Sequence, residues 1–133
     1  MQTHCPDCDV PLVRVDIPVD IREYAPENAA TVGSCPRCLR TVAVDDDASE
    51  LASATTRPAA IPDGDGGAAL VLLLGQLDSL ALNRAAIQSL LDYAEASGTD
   101  VFLAIDRLAA DDAVDAYVDL ARRRQQLESM LDY

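Results

Sequence analysis

Two short turns constrain this chain more than anything else in it: Cys5-Pro6-Asp7-Cys8 and Cys35-Pro36-Arg37-Cys38. They hold its only four cysteines. Thiols two residues apart suit adjacent corners of a tetrahedron, and two such turns complete a four-thiolate set of the kind that holds structural zinc. The proline after each first cysteine fixes φ and shapes the turn. Cys5, Cys8, Cys35 and Cys38 are therefore the candidate metal ligands. Zinc is preferred as the usual structural ion for four cysteines, but iron accepts the same ligands, so spacing does not exclude it.

The segments around the turns read as short strands. Val13, Val15 and Ile17 alternate with Arg14 and Asp16, a strand pattern that Pro18 ends. Residues 20–24 suit one helical turn before Pro26. Ala30–Ser34 leads into the second turn as an extended stretch, and Thr41–Val44 leaves it as another. Two metal-binding turns joined by short strands are the plan of a zinc ribbon, assigned here to residues 1–45. So small a unit buries little apolar area, and structural zinc contributes on the order of 10 kcal/mol to folding in comparable peptides.

Residues 46–67 read as an acidic, Pro- and Gly-containing linker, with one short helix possible near Ser49–Ser53. Residues 68–133 read as a helical domain of three to four helices, giving an α+β chain overall. Leu70, Leu73, Leu74 and Leu77 recur at helical spacing, although the run 68–74 also suits a buried strand. Asn83 is placed to cap a second helix bearing Ile87, Leu90, Leu91 and Ala94, and Gly98 to stop it. Thr99 or Asp100 suits the cap of a third helix. Asp111 suits the cap of a last, long helix to about Leu131, with a broad apolar stripe through Val114, Tyr117, Val118, Leu120, Ala121, Leu127 and Leu131. A stripe that wide has surface left for self-association.

Charge narrows the partners. The chain carries 23 acidic and 10 basic residues, a net charge of -13, and all ten basic residues are Arg. An Asp-rich, Lys-free surface resembles the proteomes of salt-in halophilic archaea, where concentrated salt screens self-repulsion. Nucleic-acid binding depends on neutralising phosphates, which disfavours it here. The start of the chain lacks a charged and then apolar leader, and the longest apolar run, 68–74, is far below the roughly 18–20 residues of a membrane span. A cytoplasmic protein without membrane contact is expected, and a reducing cytosol favours metal-bound thiolates over disulfides.

Each further feature has a functional and a structural reading. A lone CPxC turn suits thiol redox chemistry, but such turns follow a buried strand and open a helix. Cys5 has almost no chain before it and a strand-like run after it. His4, the only histidine, is expected to be exposed, since four cysteines fill a structural zinc. Arg14, Arg37 and Arg40 either offset the negative charge of a four-thiolate zinc site or contact phosphates; the first is preferred. Arg122-Arg123-Arg124 points to different helix faces and suits intramolecular ion pairs. No nucleophile–base pair and no phosphate-cradling Gly loop is present.

The two cysteine turns resemble the knuckles of the zinc-ribbon and rubredoxin-like group. Cys35-Pro36-Arg37-Cys38-Leu39-Arg40, with Arg22-Glu23-Tyr24-Ala25-Pro26 and the Leu/Asp-rich tail, is similar to small uncharacterised haloarchaeal proteins with a CPxC zinc ribbon. Such knuckles usually carry Gly after the second cysteine, where φ is often positive; here those positions hold Asp9 and Leu39. The expectation is a non-enzymatic, zinc-stabilised module of a halophilic archaeon. It would act as an adaptor through an unidentified protein partner, with its C-terminal helices offering a surface for homo-oligomerisation. A nucleic-acid-associated regulator using Arg14, Arg37 and Arg40 is the alternative; a small thiol or metal-dependent enzyme is the third reading.

Overall fold

The computed structural model describes residues 3–44 and 58–131. Residues 46–57 of the stretch read as linker, with the short helix near Ser49–Ser53, lie outside the described residues. The architecture is α+β, a small antiparallel sheet followed by four α-helices.

The alternation read from the sequence becomes β1, Val13–Asp16, which buries Val13 and Val15 and exposes Arg14 and Asp16. β2, Thr31–Ser34, lies at the centre of the sheet with every residue buried, and β3, Thr41–Ala43, completes the order β1-β2-β3. Val15 stands opposite Val32, and Val32 opposite Ala43. Between β1 and β2 the chain makes a 3-10 turn at Val19–Tyr24 that places Ile21 in the core. The Arg22 guanidinium donates to the Ile17 carbonyl at 2.8 Å and fastens that turn to the end of β1.

α1, Asp65–Leu74, is buried from Gly66 to Leu74. A helix apolar all round belongs inside a core, not on its surface. It begins inside the stretch read as linker, because the two glycines there serve close packing. A Cβ on Gly67 would fall on the Pro62 carbonyl, and one on Gly66 would meet the Thr99 side chain. On one side Thr41 of β3 donates its hydroxyl to the Val71 carbonyl at 3.0 Å. On the other packs α2, Arg84–Ala96, through Ile87, Leu90, Leu91 and Ala94. Gly98, at φ 91°, closes α2: the Gly98 N–H donates to the Glu95 carbonyl and the Thr99 N–H to the Ala94 carbonyl. Asp100 then caps α3, Val101–Ala109, by accepting from the Leu103 N–H at 3.0 Å. Val15, Ile17, Ile21, Val32 and Leu39 join the helices in one apolar core.

The last helix differs from expectation. α4 is Leu120–Leu131, and residues 111–119 form an irregular strap instead of its first turns. The cause is competition for backbone donors. The Asp115 N–H donates to the Arg37 carbonyl at 2.7 Å and the Tyr117 N–H to the Cys38 carbonyl at 3.0 Å. A helix over the same residues would keep those N–H groups for itself. Asp119, not Asp111, caps α4, accepting from the Arg122 N–H at 3.1 Å. The stripe read as one helical face is thus divided. Val114, Tyr117 and Val118 belong to the strap, while Leu120 and Leu127 are buried from α4. Arg124 pairs with Asp106 and Glu128 at 2.7 Å each and lies over the Phe102 ring. Arg123 bonds Gln126, and Arg122 is exposed. No helix among the described residues is long and apolar enough to cross a membrane.

The strap is fastened a third time by the Tyr117 hydroxyl, which donates to the Leu74 carbonyl at the end of α1 at 2.7 Å. Burial, and then the Asp78 carboxylate, push this hydroxyl up to about 12. Its unfolded value is about 10. A raised folded value means that the contribution to stability is complete below pH ~10 and is lost as pH rises through ~12. Two pH units at ~1.4 kcal/mol each set an upper bound of about 3 kcal/mol, and because the hydroxyl is only part-buried, solvent screening reduces the expected loss to about 1 kcal/mol. Denaturant midpoints measured between pH 8 and 12 should show this alkaline fall in the native chain. Tyr117→Phe should flatten it, starting about 1 kcal/mol lower at pH 8.

Candidate metal centre

The two cysteine turns are built alike. In the first, the Cys5 N–H donates to the Val10 carbonyl and the Asp9 N–H to the Cys5 carbonyl, both at 2.9 Å. In the second, the Cys35 N–H donates to the Arg40 carbonyl at 2.9 Å and the Leu39 N–H to the Cys35 carbonyl at 3.0 Å. Each turn is opened by a strand-like pair, His4 opposite Pro11 and Ser34 opposite Thr41. The residue after each second cysteine takes positive φ, 55° at Asp9 and 70° at Leu39. Leu adopts that conformation only at a cost of about 1–2 kcal/mol. Here its side chain is 1% exposed in the main core, and burial of that size outweighs the strain.

This shared geometry brings the four sulfurs together, all within 4.8 Å of one another. Cys5 Sγ and Cys38 Sγ, from different turns, are 3.7 Å apart. Metal–sulfur bonds of about 2.3 Å in a tetrahedron give sulfur–sulfur edges of about 3.8 Å, whereas a disulfide needs about 2.05 Å. All four cysteines are free. Cys5, Cys35 and Cys38 are 1%, 0% and 3% exposed, and Cys8 is partly exposed.

The electrostatics also suit a cation. Burial raises the Cys5 thiol, but the N–H groups of Cys8 and Asp7, with the sulfurs of Cys38 and Cys35, outweigh it, and the net shift is downward. Burial pushes Cys8 and Cys38 up, and the charge on neighbouring sulfurs adds to it. Four thiols this close cannot all ionise without a cation between them; a divalent ion removes that conflict. The residues present therefore fit one metal ion bound by Cys5, Cys8, Cys35 and Cys38.

The arginines divide. Arg40 stands at the site: its guanidinium reaches Asp7 of the other turn at 2.9 Å, lies 3.9 Å from Cys38 Sγ and stacks over the Tyr117 ring at 5.0 Å. Arg14 is out on β1, paired with Asp16 at 3.1 Å. Arg37 is exposed at the tip of the second turn. His4 is exposed and lies outside the sulfur cluster, its ring 3.0 Å from the Thr3 hydroxyl. Sequence reading missed Tyr117, which flanks the second turn from a distant part of the chain. The available signal was Asp119, a second cap residue eight positions after Asp111 in a segment rich in Asp and β-branched Val.

The chain belongs to a family of unknown function, DUF6276. The family profile matches residues 4–131, spanning both cysteine turns, the strap and α4. Neither the curated proteins nor the solved structures compared with it give a match.

The twin turns separate two energies. Leu39→Gly relieves about 1–2 kcal/mol of left-handed strain but removes a core side chain worth about 2–5 kcal/mol. It should destabilise the fold by about 2 kcal/mol, while Asp9→Gly at the exposed equivalent should stay within about 1 kcal/mol of the native chain. Chemical denaturation of the two variants measures both; an equal loss at the two positions would contradict the role given to the Leu39 side chain.

Proposed function

We propose that the four cysteines bind one structural zinc ion and that the chain works without catalysis, as a protein–protein interaction or adaptor module of a halophilic archaeon. The observation that carries this reading is the closed sulfur cluster. Four thiolates complete a zinc ion's coordination and leave no position for a substrate or an activated water. Zinc bound there supplies cross-linking, not chemistry. The chain's own residues do the rest: the turns aim N–H groups at sulfur, and Arg40 offsets the excess negative charge.

Interaction is favoured over phosphate binding by what the arginines do. Arg14 and Arg40 are engaged with Asp16 and Asp7, which leaves Arg37, exposed at the tip of its turn, to meet a phosphate in a chain of net charge -13. Leu82 at 89% exposure, Val19 at 72% and Leu103 at 43% offer scattered apolar points for contact. The Asp-rich, Lys-free composition supports a high-salt cytoplasm as the working medium.

Elemental analysis of the purified chain should give one zinc per molecule. Chelation should unfold the sheet and, because the strap is bonded to the second turn, loosen the helical part with it. Circular dichroism and proteolysis would follow both. A metal-free chain with an unchanged unfolding midpoint would overturn the structural role of the site. Turnover of a substrate by the zinc-loaded protein would promote the enzyme reading, and salt-sensitive nucleic-acid affinity the regulator reading.

Salt should stabilise the fold. Raising KCl from about 0.1 M to about 1 M shortens the Debye length from about 10 Å to about 3 Å, which screens the surface carboxylates from one another. Thermal midpoints should climb across this range; a flat or falling series would remove the halophilic reading.

A further inference from the structure

We propose that Cys8 is a covalent modification site: the one sulfur of the centre at which small soft electrophiles attack, detaching the first turn from the metal. The inference rests on the metal site proposed above. Because the two turns share one backbone plan, the differences between them are informative. In the second turn, Cys35 is fully buried and accepts from the Cys38 N–H at 3.3 Å. Cys38 is 3% exposed and faces both the Arg40 N–H and the Arg40 guanidinium, with Tyr117 stacked beneath that guanidinium. In the first turn, Cys5 is 1% exposed and accepts from the N–H groups of Cys8 and Asp7.

Cys8 has neither protection. It is the most exposed of the four, and the groups that act most strongly on its sulfur are the sulfurs of Cys38, Cys35 and Cys5, where Cys38 has the N–H and guanidinium of Arg40. The place that Arg40 takes in the second turn is held in the first by Val10, which has no side-chain donor. Among the described residues, no distant segment makes backbone hydrogen bonds to the first turn as Asp115 and Tyr117 do to the second. Metal binding keeps all four sulfurs as thiolates, so access and hydrogen bonding set their relative reactivity. A donor to sulfur withdraws charge and lowers its nucleophilicity; Cys8 keeps its own.

With iodoacetamide as the probe, a lone pair on Cys8 Sγ attacks the methylene carbon. The C–S bond forms, the C–I bond breaks and iodide leaves. The product is a neutral thioether, a poor ligand for zinc, so the ion is left with three thiolates. The second turn stays pinned by the strap while the first comes free.

The test is limiting iodoacetamide on the zinc-loaded full chain, with peptide mass mapping and a zinc-sensitive dye. Cys8 should be labelled about tenfold faster than any other cysteine, the factor that one charge-assisted hydrogen bond corresponds to. Zinc release should track Cys8 labelling. Val10→Arg should slow Cys8, and Arg40→Gln should raise Cys38 labelling toward that of Cys8. Even labelling of a chain that carries one zinc overturns the inference and leaves the metal site standing; a chain with no metal overturns both. Should Val10→Arg fail to load zinc, Arg40→Gln decides alone, and an unchanged Cys38 rate counts against the proposal.

Discussion

A sheet whose three strands have four, four and three residues cannot bury a core of its own. That shortage organises the rest of the molecule. At one end the cysteine turns draw the strands together around four sulfurs. On its face the sheet is covered by α1, a helix with no polar side and therefore no stable existence apart from its neighbours. Neither piece is self-sufficient, and the shared core of Val15, Val32 and Leu39 with the helices follows from that.

The strap is where the two solutions meet. Its backbone bonds to Arg37 and Cys38 fix the second turn from outside, and the Tyr117 hydroxyl ties the same segment to the end of α1. Arg40 closes the arrangement by touching the first turn, the Cys38 sulfur and the Tyr117 ring at once. A guanidinium suits this place because it is planar, always charged and able to bond and stack together. The cysteine turns are thus joined to the helical part of the chain by the strap's backbone bonds to Arg37 and Cys38 and by the stacking of Arg40 on Tyr117.

Much of this was legible beforehand, and what was not has a physical cause. Strand alternation at Val13–Ile17, the Asp100 cap and the Gly98 stop are local signals, and each was expressed where expected. Cysteine spacing is local too, and the sulfurs converge. The start of α1 was misplaced because glycine reads as flexibility in sequence, whereas Gly66 and Gly67 serve contact with Thr99 and Pro62 from elsewhere in the chain. The strap was misread as helix because Val114, Tyr117 and Val118 do fall at helical spacing; the carbonyls of Arg37 and Cys38 that claim its N–H groups are remote in sequence. Positive φ at Leu39 illustrates the same limit, since only the core that encloses its side chain offsets the backbone strain.

Net charge of -13 on so small a chain adds a further constraint. Four thiolates around a divalent ion would carry a net charge of about minus two, placed inside a molecule that already repels itself. Arg40 answers this locally and leaves the remaining surface acidic. Moving Arg40 from the second turn to the first would neutralise the same charge overall, yet it would lose the Tyr117 ring and the strap that hold the guanidinium in place. The asymmetry of the two turns is therefore tied to the position of the strap: the buried Cys38 sulfur, beside Arg40, is in the turn that the strap binds, and the more exposed Cys8 is in the other.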